Sequence, residues 1–260
     1  GWIIMRMTLL ALLLAASWAN SVAYAKSSKI QVTYAQPNNK IETTNLDLLK
    51  KSDVIQGFTE VVDSEFKLKY PIKLQFGADD GPLYDPESHK LKIPYAFLED
   101  AQQRFAKAKY EETGVSAQDA MLDAVQHTLF HELAHALIAM YDLPIVGKEE
   151  DAADNLATVL LIEYLDDGAE VAISAADLFD LEGEDVKELS EADFWDEHSL
   201  DTQRYYTTMC HIYGSDPKKY KDVKVDAGFD KERAETCSDD YELVRENWFK
   251  LLKPIMKNPA

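Results

Sequence analysis

The sequence predicts an α+β fold, with a small, mostly antiparallel sheet near the N-terminus and a predominantly helical part after it. Residues 72–76 and 91–93 alternate apolar and polar side chains, which is the period of a half-buried strand. A weaker alternation from Ile30 to Tyr34 predicts another strand. From Tyr95 onward, apolar residues recur at helical spacing. Because strands come first and helices follow, the pattern favours α+β over alternating βαβ units.

The helical part divides into segments separated by glycine, proline and polar residues. Apolar residues from Val54 to Phe66 also have helical spacing, whereas residues 26–52 are typical of a strand with a polar lead-in. The five helices predicted after Tyr95 cover about residues 96–112, 117–141, 149–167, 199–213 and 230–252. No internal repeat or linker interrupts the chain, so we expect a single domain over residues 26–260.

The charge balance excludes some classes of partner. The 260 residues include 27 Lys and Arg against 47 Asp and Glu, a net charge of −20. Phosphate recognition needs clustered basic residues, so a nucleic-acid binder is excluded. Fifteen of the acids lie between Glu163 and Asp201. A solvated acidic surface is the favoured interpretation of that segment. A calcium site is the alternative, although the regular Asp-x-Asp-x-Asp-Gly loop is absent.

Residues 1–25 are typical of a secretory signal peptide. Arg6 precedes the apolar run 9–16, and Ala23-Tyr24-Ala25 resembles a cleavage site. The run is shorter than the ~20 residues needed to span a bilayer, so we expect no stable membrane insertion after cleavage. The predicted location is secreted or periplasmic. Oxidising compartments favour a disulfide between the only two cysteines, Cys210 and Cys237, with two buried thiols as the alternative.

The segment His131-Glu132-Leu133-Ala134-His135 carries the chemistry. Residues four apart share a helix face, so both imidazoles can bind one zinc ion. Glu132 lies nearby and can deprotonate a zinc-activated water. The opposite stripe is apolar, which predicts a helix that packs on one side and presents ligands on the other. His127 lies ~12 Å along the axis from His135, too far for the same ion, so we expect it to support or pack against the site.

A third ligand is expected on the next helix, because a catalytic zinc has three protein ligands and an open position. Glu150 and Asp154 are four residues apart and share a face. Glu150 is placed to bind zinc, while Asp154 accepts the free N–H of a ligand histidine. Glu149 has only Ala153 at the corresponding spacing. The alternative is an acidic helix N-terminus stabilised by the helix dipole.

These motifs resemble the gluzincin class of zinc metallopeptidases, of which thermolysin is a member. From about residue 57 to residue 254, the chain more closely resembles a bacterial family of exported metallopeptidases. The resemblance rests on segments 131–137, 149–154, 196–206 and 213–217. It implies a zincin-like fold, the zinc ligands His131, His135 and Glu150, the general base Glu132 and the supporting residue Asp154. The spacing between His135 and Glu150 is shorter than in thermolysin, so no substrate-pocket detail is carried over.

Two further features concern substrate binding and catalysis. Gluzincins often use a late His or Tyr to stabilise the oxyanion, and His198 is a candidate for this role. A surface or helix-capping histidine is the alternative. Arg204, Tyr205 and Tyr206 are weaker candidates, and Arg204 equally suits pairing with acids. An ordinary hairpin arm is the favoured interpretation of the segment 90–93, with an edge strand for peptide binding as the alternative.

The sequence therefore predicts a secreted or periplasmic zinc metallopeptidase with one Zn²⁺ per chain and a peptide or protein substrate. A non-catalytic exported protein with a structural or closed zinc site is the alternative from another class. A hydrolase of non-peptide amides would carry the same residues and differ only in the shape of its pocket. The sequence does not predict an oligomeric state.

Overall fold

The computed structural model describes residues 27–259, so the predicted signal peptide lies outside the described residues. A small sheet is followed by a mainly helical part, as predicted for an α+β fold. The strands are β1 (Ile30–Tyr34), β2 (Ile72–Phe76), β3 (Leu83–Asp85) and β4 (Lys90–Ile93). The α-helices are α1 (Lys40–Lys51), α2 (Val54–Glu65), α3 (Tyr95–Lys107), α4 (Ala117–Tyr141), α5 (Glu149–Tyr164), α6 (Gly168–Gly183), α7 (Glu191–Trp195), α8 (Asp201–Ser215), α9 (Lys221–Asp226) and α10 (Lys231–Leu252).

The strand order is β1-β2-β4-β3, and the prediction of a mostly antiparallel sheet is wrong. β1 pairs with β2 and β2 pairs with β4 in parallel, while only β3 and β4 are antiparallel. The reason lies in the connections. Helices α1 and α2 carry the chain back to the starting end of the sheet before β2, which permits a parallel pairing. Alternation within a strand indicates burial, but it does not reveal the direction of the neighbouring strand.

The edge of the sheet nearest to α4 is β3, not the segment 90–93. β4 lies between β2 and β3, so Lys90–Ile93 is not the edge strand, and the favoured interpretation of this segment as a hairpin arm is confirmed. β3 packs against α4. Within residues 27–259, no further strand pairs with the outer side of β3.

Helix α4 is the central helix of the fold. Helices α2, α3, α5 and α6 and strand β3 all pack around it. Phe130 meets Phe58 of α2 edge-on, with ring centroids 5.2 Å apart. Helix α5 covers the side of α4 that carries the histidines, so His131 is only 6% exposed. The apolar stripe in the sequence indicates one packed face of α4. The opposite face is buried as well, because its histidines pair with carboxylates of α5.

Four helices lie where the sequence predicted none, namely α1, α6 and the short helices α7 and α9. Helix α1 replaces part of the polar lead-in and buries Leu46 and Leu49. Helix α6 lies inside the acidic segment 163–201 and packs against α4 and α8 through small apolar residues. The prediction of a solvated acidic surface is therefore wrong for α6, although residues 184–198 are mostly exposed. Charges on one face of α6 obscured the Ala- and Val-rich face that packs.

Helices α8 and α10 are joined by the predicted Cys210–Cys237 disulfide. The two helices approach closely beside it, because a Cβ atom at Gly214 would run into the carbonyl of Cys237. Glycine is required at this contact for steric reasons. Among residues 27–259, no helix combines the length and apolar character that crossing a membrane requires.

Candidate metal centre

Helix α4 brings two histidine side chains together. Its N-terminus is capped by Ser116, whose hydroxyl accepts a hydrogen bond from the backbone N–H of Asp119. His131 and His135 are one turn apart. Their Nε2 atoms lie 3.2 Å from each other. The two imidazoles therefore converge on one point, as their spacing predicted.

Helix α5 adds a carboxylate to this point. The chain turns after Tyr141, and α5 begins at Glu149. Oε2 of Glu150 lies 3.0 Å from Nε2 of His131 and 3.3 Å from Nε2 of His135. Over residues 27–259, these three residues form the only group of three or more His, Cys, Asp or Glu side chains with ligand atoms all within 4.8 Å of one another. No comparable cluster supports a calcium site in the described acidic segment.

The three atoms have the spacing that a tetrahedral metal site requires. Ligand atoms at about 2.0–2.1 Å from one zinc ion, and at the tetrahedral angle, lie about 3.3–3.4 Å apart. The observed separations run from 3.0 to 3.3 Å. Two imidazole nitrogens and a carboxylate oxygen are also a common donor set of catalytic zinc sites. The residues therefore fit a divalent metal ion.

A second carboxylate orients each imidazole. Nδ1 of His131 lies 2.7 Å from Oδ1 of Asp154, and Nδ1 of His135 lies 2.7 Å from Oε1 of Glu149. In each pair the Nδ1–H donates to the carboxylate, which leaves the lone pair on Nε2 for a metal. Asp154 is where the sequence predicted it. Glu149 was missed, because only partners one helical turn away were considered and a neighbour of Glu150 also reaches α4.

Arg204 of α8 holds the Asp154 carboxylate from the other side. Its Nε donates to Oδ2 at 2.7 Å and its Nη2 donates to Oδ1 at 3.1 Å. The guanidinium also lies 3.9 Å above the ring of Phe179 and 3.6 Å from Asp201. Arg204 therefore pairs with acids, which was one of its two predicted roles, and it links α8 to the orientation of His131.

The electrostatics of the centre favour a positive charge. Burial by itself lowers the pKa of His131, but hydrogen bonds to Asp154 and Glu150 outweigh it and raise that pKa. For His135 too, burial lowers the pKa, but the hydrogen bond to Glu150 outweighs this effect, so the net shift is upward. Burial raises the pKa of Asp154, yet Arg204 and His131 hold it well below its usual range. A divalent cation supplies the positive charge that these carboxylates favour.

Glu132 lies beside the group and lines a cavity of about 230 Å³. It is only 5% exposed. Burial raises the pKa of its carboxyl, and the two neighbouring imidazoles oppose that rise. His131, His127 and His198 line the same cavity. A group that enters the cavity therefore meets the Glu132 carboxylate and the candidate ligand His131 together.

His198 reaches the centre from the segment before α8. Its Nε2 lies 3.0 Å from Oε2 of Glu150. Its backbone N–H donates to Asp196, and the ammonium of Lys148 donates to its carbonyl oxygen. His198 is nevertheless not a member of the close group of three ligands. Its position agrees with a role at the site rather than on a remote surface.

Other candidates from the sequence lie elsewhere. Tyr205 and Tyr206 pack on each other at 5.0 Å and do not line the cavity. His127 packs edge-on against Phe179 and stays outside the metal group, as its distance along α4 predicted. Glu182 of α6 lines the cavity and was missed, because nothing in its local sequence separates it from the surrounding acids.

The two imidazoles and the carboxylate on packed helices define a protein with a His-x-x-x-His metal-binding motif. Residues 34–252 match the model of a family described as "putative metallopeptidase". The chain belongs to this family. Comparison with curated proteins gives no match, and neither does comparison with solved structures.

Proposed function

We propose that this chain is a zinc-dependent peptidase of the gluzincin type, exported by a signal peptide at residues 1–25. His131, His135 and Glu150 are the proposed zinc ligands, with Asp154 and Glu149 orienting the two imidazoles. The observation that carries the proposal is the meeting of three ligand atoms within 3.3 Å beside Glu132 and an accessible cavity. Membership of a metallopeptidase family supports it.

The residues of the chain divide the proposed reaction between them. A bound zinc ion would supply Lewis acidity, which polarises a peptide carbonyl and acidifies water. Glu132 takes a proton from the attacking water and delivers it to the leaving amine. The imidazole of His198 donates to the oxygen on which negative charge develops. The raised pKa of Glu132 suits proton transfer in both directions, since it moves toward neutral pH.

The edge strand β3 is the proposed support for the substrate backbone. It packs against α4, and Pro82 immediately before it lines the cavity. An extended peptide that adds to a sheet edge gains main-chain hydrogen bonds without sequence specificity. This mode explains how a peptide bond would reach Glu132, while side chains enter the cavity.

The test is the variant Glu132→Gln in zinc-loaded protein. We expect about one zinc per chain to remain, because Glu132 is not a ligand, and hydrolysis of a peptide library to fall by at least ~10³-fold. Exposed Glu112→Gln is the control and keeps both properties. Metal analysis and mass spectrometry of the digest measure the two outcomes. Turnover that persists in Glu132→Gln would remove this carboxylate from the mechanism.

A second candidate is a non-catalytic zinc protein in which His198 completes the coordination. The 3.0 Å contact between His198 and Glu150 favours it, since a fourth protein ligand closes a zinc site. The variant His198→Ala separates the two. If the chain is a peptidase, His198→Ala keeps a zinc affinity within a few-fold of the wild type and has a lower kcat. If His198 closes the site, the variant loses zinc affinity by orders of magnitude, and the wild type cleaves no peptide.

A further inference from the structure

The cavity beside Glu132 has apolar walls and one unpaired acid. Phe97 of α3, Ala124 of α4 and Leu178 and Phe179 of α6 supply the walls. Such walls suit the aliphatic part of a long side chain. Glu182 of α6 also lines the cavity. Within residues 27–259, the Glu182 carboxylate makes no hydrogen bond and no ion pair, although it is half-buried.

The two arginines that act electrostatically on Glu182 are Arg104 and Arg204. Arg104 already donates from Nε to Asp100 at 2.8 Å and from Nη1 to Asp185. The positive charge of Arg104 is therefore already balanced by two aspartates, so Arg104 is not a counter-ion for Glu182.

Arg204 is committed in the same way. It donates two hydrogen bonds to Asp154 and lies 3.6 Å from Asp201, with its guanidinium stacked on the Phe179 ring. The surroundings of Glu182 thus contain four aspartates for two arginines. Burial raises the pKa of Glu182 to about 7, so a cation beside it would favour its ionised form. An anionic group placed beside Glu182 would meet a like charge, whereas a cation would complete an ion pair.

The cavity is also lined by a histidine with an unsatisfied ring nitrogen. Nε2 of His127 is buried and has no hydrogen-bond partner in the described part of the chain. Buried polar atoms are normally paired, so this atom is an exception that calls for a partner. His127 lines the cavity, where a donor on an incoming side chain would supply one.

We propose that this cavity is the subsite for a lysine or arginine side chain of the substrate, with Glu182 as its counter-ion. This inference rests on the proposed peptidase function. The apolar walls hold the methylene stem, and the charged end meets Glu182. The net charge of −20 on the chain steers cationic peptides toward it.

The test compares peptides that differ at one position only. Zinc-loaded protein is given alanine-rich peptides with lysine, norleucine or glutamate at a single varied position, and mass spectrometry locates the cleaved bond. We expect kcat/KM to be at least ~10-fold higher for lysine than for uncharged norleucine. Glu182→Gln brings the ratio near one, and Glu182→Lys shifts the preference to glutamate. The matched control Glu184→Gln removes an exposed charge two residues away and keeps the lysine preference.

Binding to the Glu132→Gln protein separates this inference from the proposed function. Titration calorimetry with the same peptides measures selectivity without hydrolysis. Cleavage without a lysine preference, or with a preference that Glu182→Gln leaves intact, overturns the subsite and leaves the peptidase standing. Lysine-selective binding that needs Glu182, without any cleavage by the wild type, supports the subsite and overturns the peptidase. Neither cleavage nor selective binding overturns both.

Discussion

Oδ1 of Asp154 lies 2.7 Å from Nδ1 of His131, and the same carboxylate also accepts two hydrogen bonds from Arg204. Three helices therefore meet at one carboxylate, since His131 lies on α4, Asp154 on α5 and Arg204 on α8. The position of His131, a proposed zinc ligand, is coupled through this carboxylate to the packing of α8. Loss of Asp154 should affect both metal affinity and stability.

For Asp154→Asn we expect zinc affinity to fall ~10–100-fold, the usual cost of losing a carboxylate behind a ligand histidine. Stability should fall by about 3 kcal/mol, because the buried Arg204 loses its ion pair with Asp154 and keeps only the more distant carboxylate of Asp201, 3.6 Å away. Competition with a chelating dye and urea unfolding measure the two effects. Asp166→Asn, an exposed acid after α5, is the control.

The double variant Asp154→Asn with Arg204→Met tests the coupling. Its loss of stability should be smaller than the sum of the two single losses, because neither partner is left alone. Additive losses in urea unfolding would show that the pair does not act as a unit.

The two adjacent glutamates of α5 should differ in their effect on metal binding. Glu150→Ala removes a proposed ligand, so zinc affinity should fall by at least ~10³-fold. Glu149→Ala removes only the partner of His135 Nδ1, and we expect a loss of about 10-fold. Isothermal titration with zinc measures both, with Glu112→Ala as the exposed control. Equal losses of zinc affinity in the two variants would contradict the assignment of Glu150, rather than Glu149, as the zinc ligand.

Stability should decrease as the pH rises from about 4 to 7 because of Asp123. Burial between α4 and α6 raises its pKa to about 7, while the hydroxyl of Ser174 donates to its carboxylate at 2.7 Å. Its unfolded pKa is about 3.9. The folded state therefore binds the proton more tightly, so this contribution is complete below about pH 4 and is lost as the pH rises through 7.

The variant Asp123→Asn keeps a neutral hydrogen-bonding side chain and removes this titration. At pH 8 it should be more stable than the wild type by about 1–3 kcal/mol, a value reduced from the full shift for partial solvation. Urea unfolding from pH 4.5 to 8 measures the slope. Asp79→Asn in an exposed loop should leave the slope unchanged. A slope that is as steep in Asp123→Asn as in the wild type would contradict the prediction.

Removal of the Cys210–Cys237 disulfide should destabilise the protein by about 3–4 kcal/mol. The bridge closes a loop between residues 27 positions apart, and the estimate follows from the entropy that the unfolded chain regains. The measurement is thermal and urea unfolding of the variant with both cysteines changed to serine. Zinc content should stay near one per chain, since neither cysteine lies in the metal group. A loss below about 1 kcal/mol would mean that α10 is held by packing alone.

The sequence alone determined the α+β class, the helix that carries His131 and His135, and the disulfide. Each depends on local spacing or on a count: four residues make one helical turn, and two cysteines allow one pair. The sequence also placed Glu150 and Asp154 on one helix face, because residues four apart always share it.

Only the tertiary structure decided the rest. Parallel pairing of β2 and β4 depends on how the connections cross. The contact of Glu149 with His135 depends on how α5 packs on α4, and Arg204 comes from α8, which lies far along the chain from the Asp154 that it holds. Glu182 looks like any other acid in a charged stretch, yet it faces a cavity because the small apolar residues of α6 pack inward. Periodicity along a chain fixes which residues share a face, whereas the contact between two faces depends on how all the helices pack together.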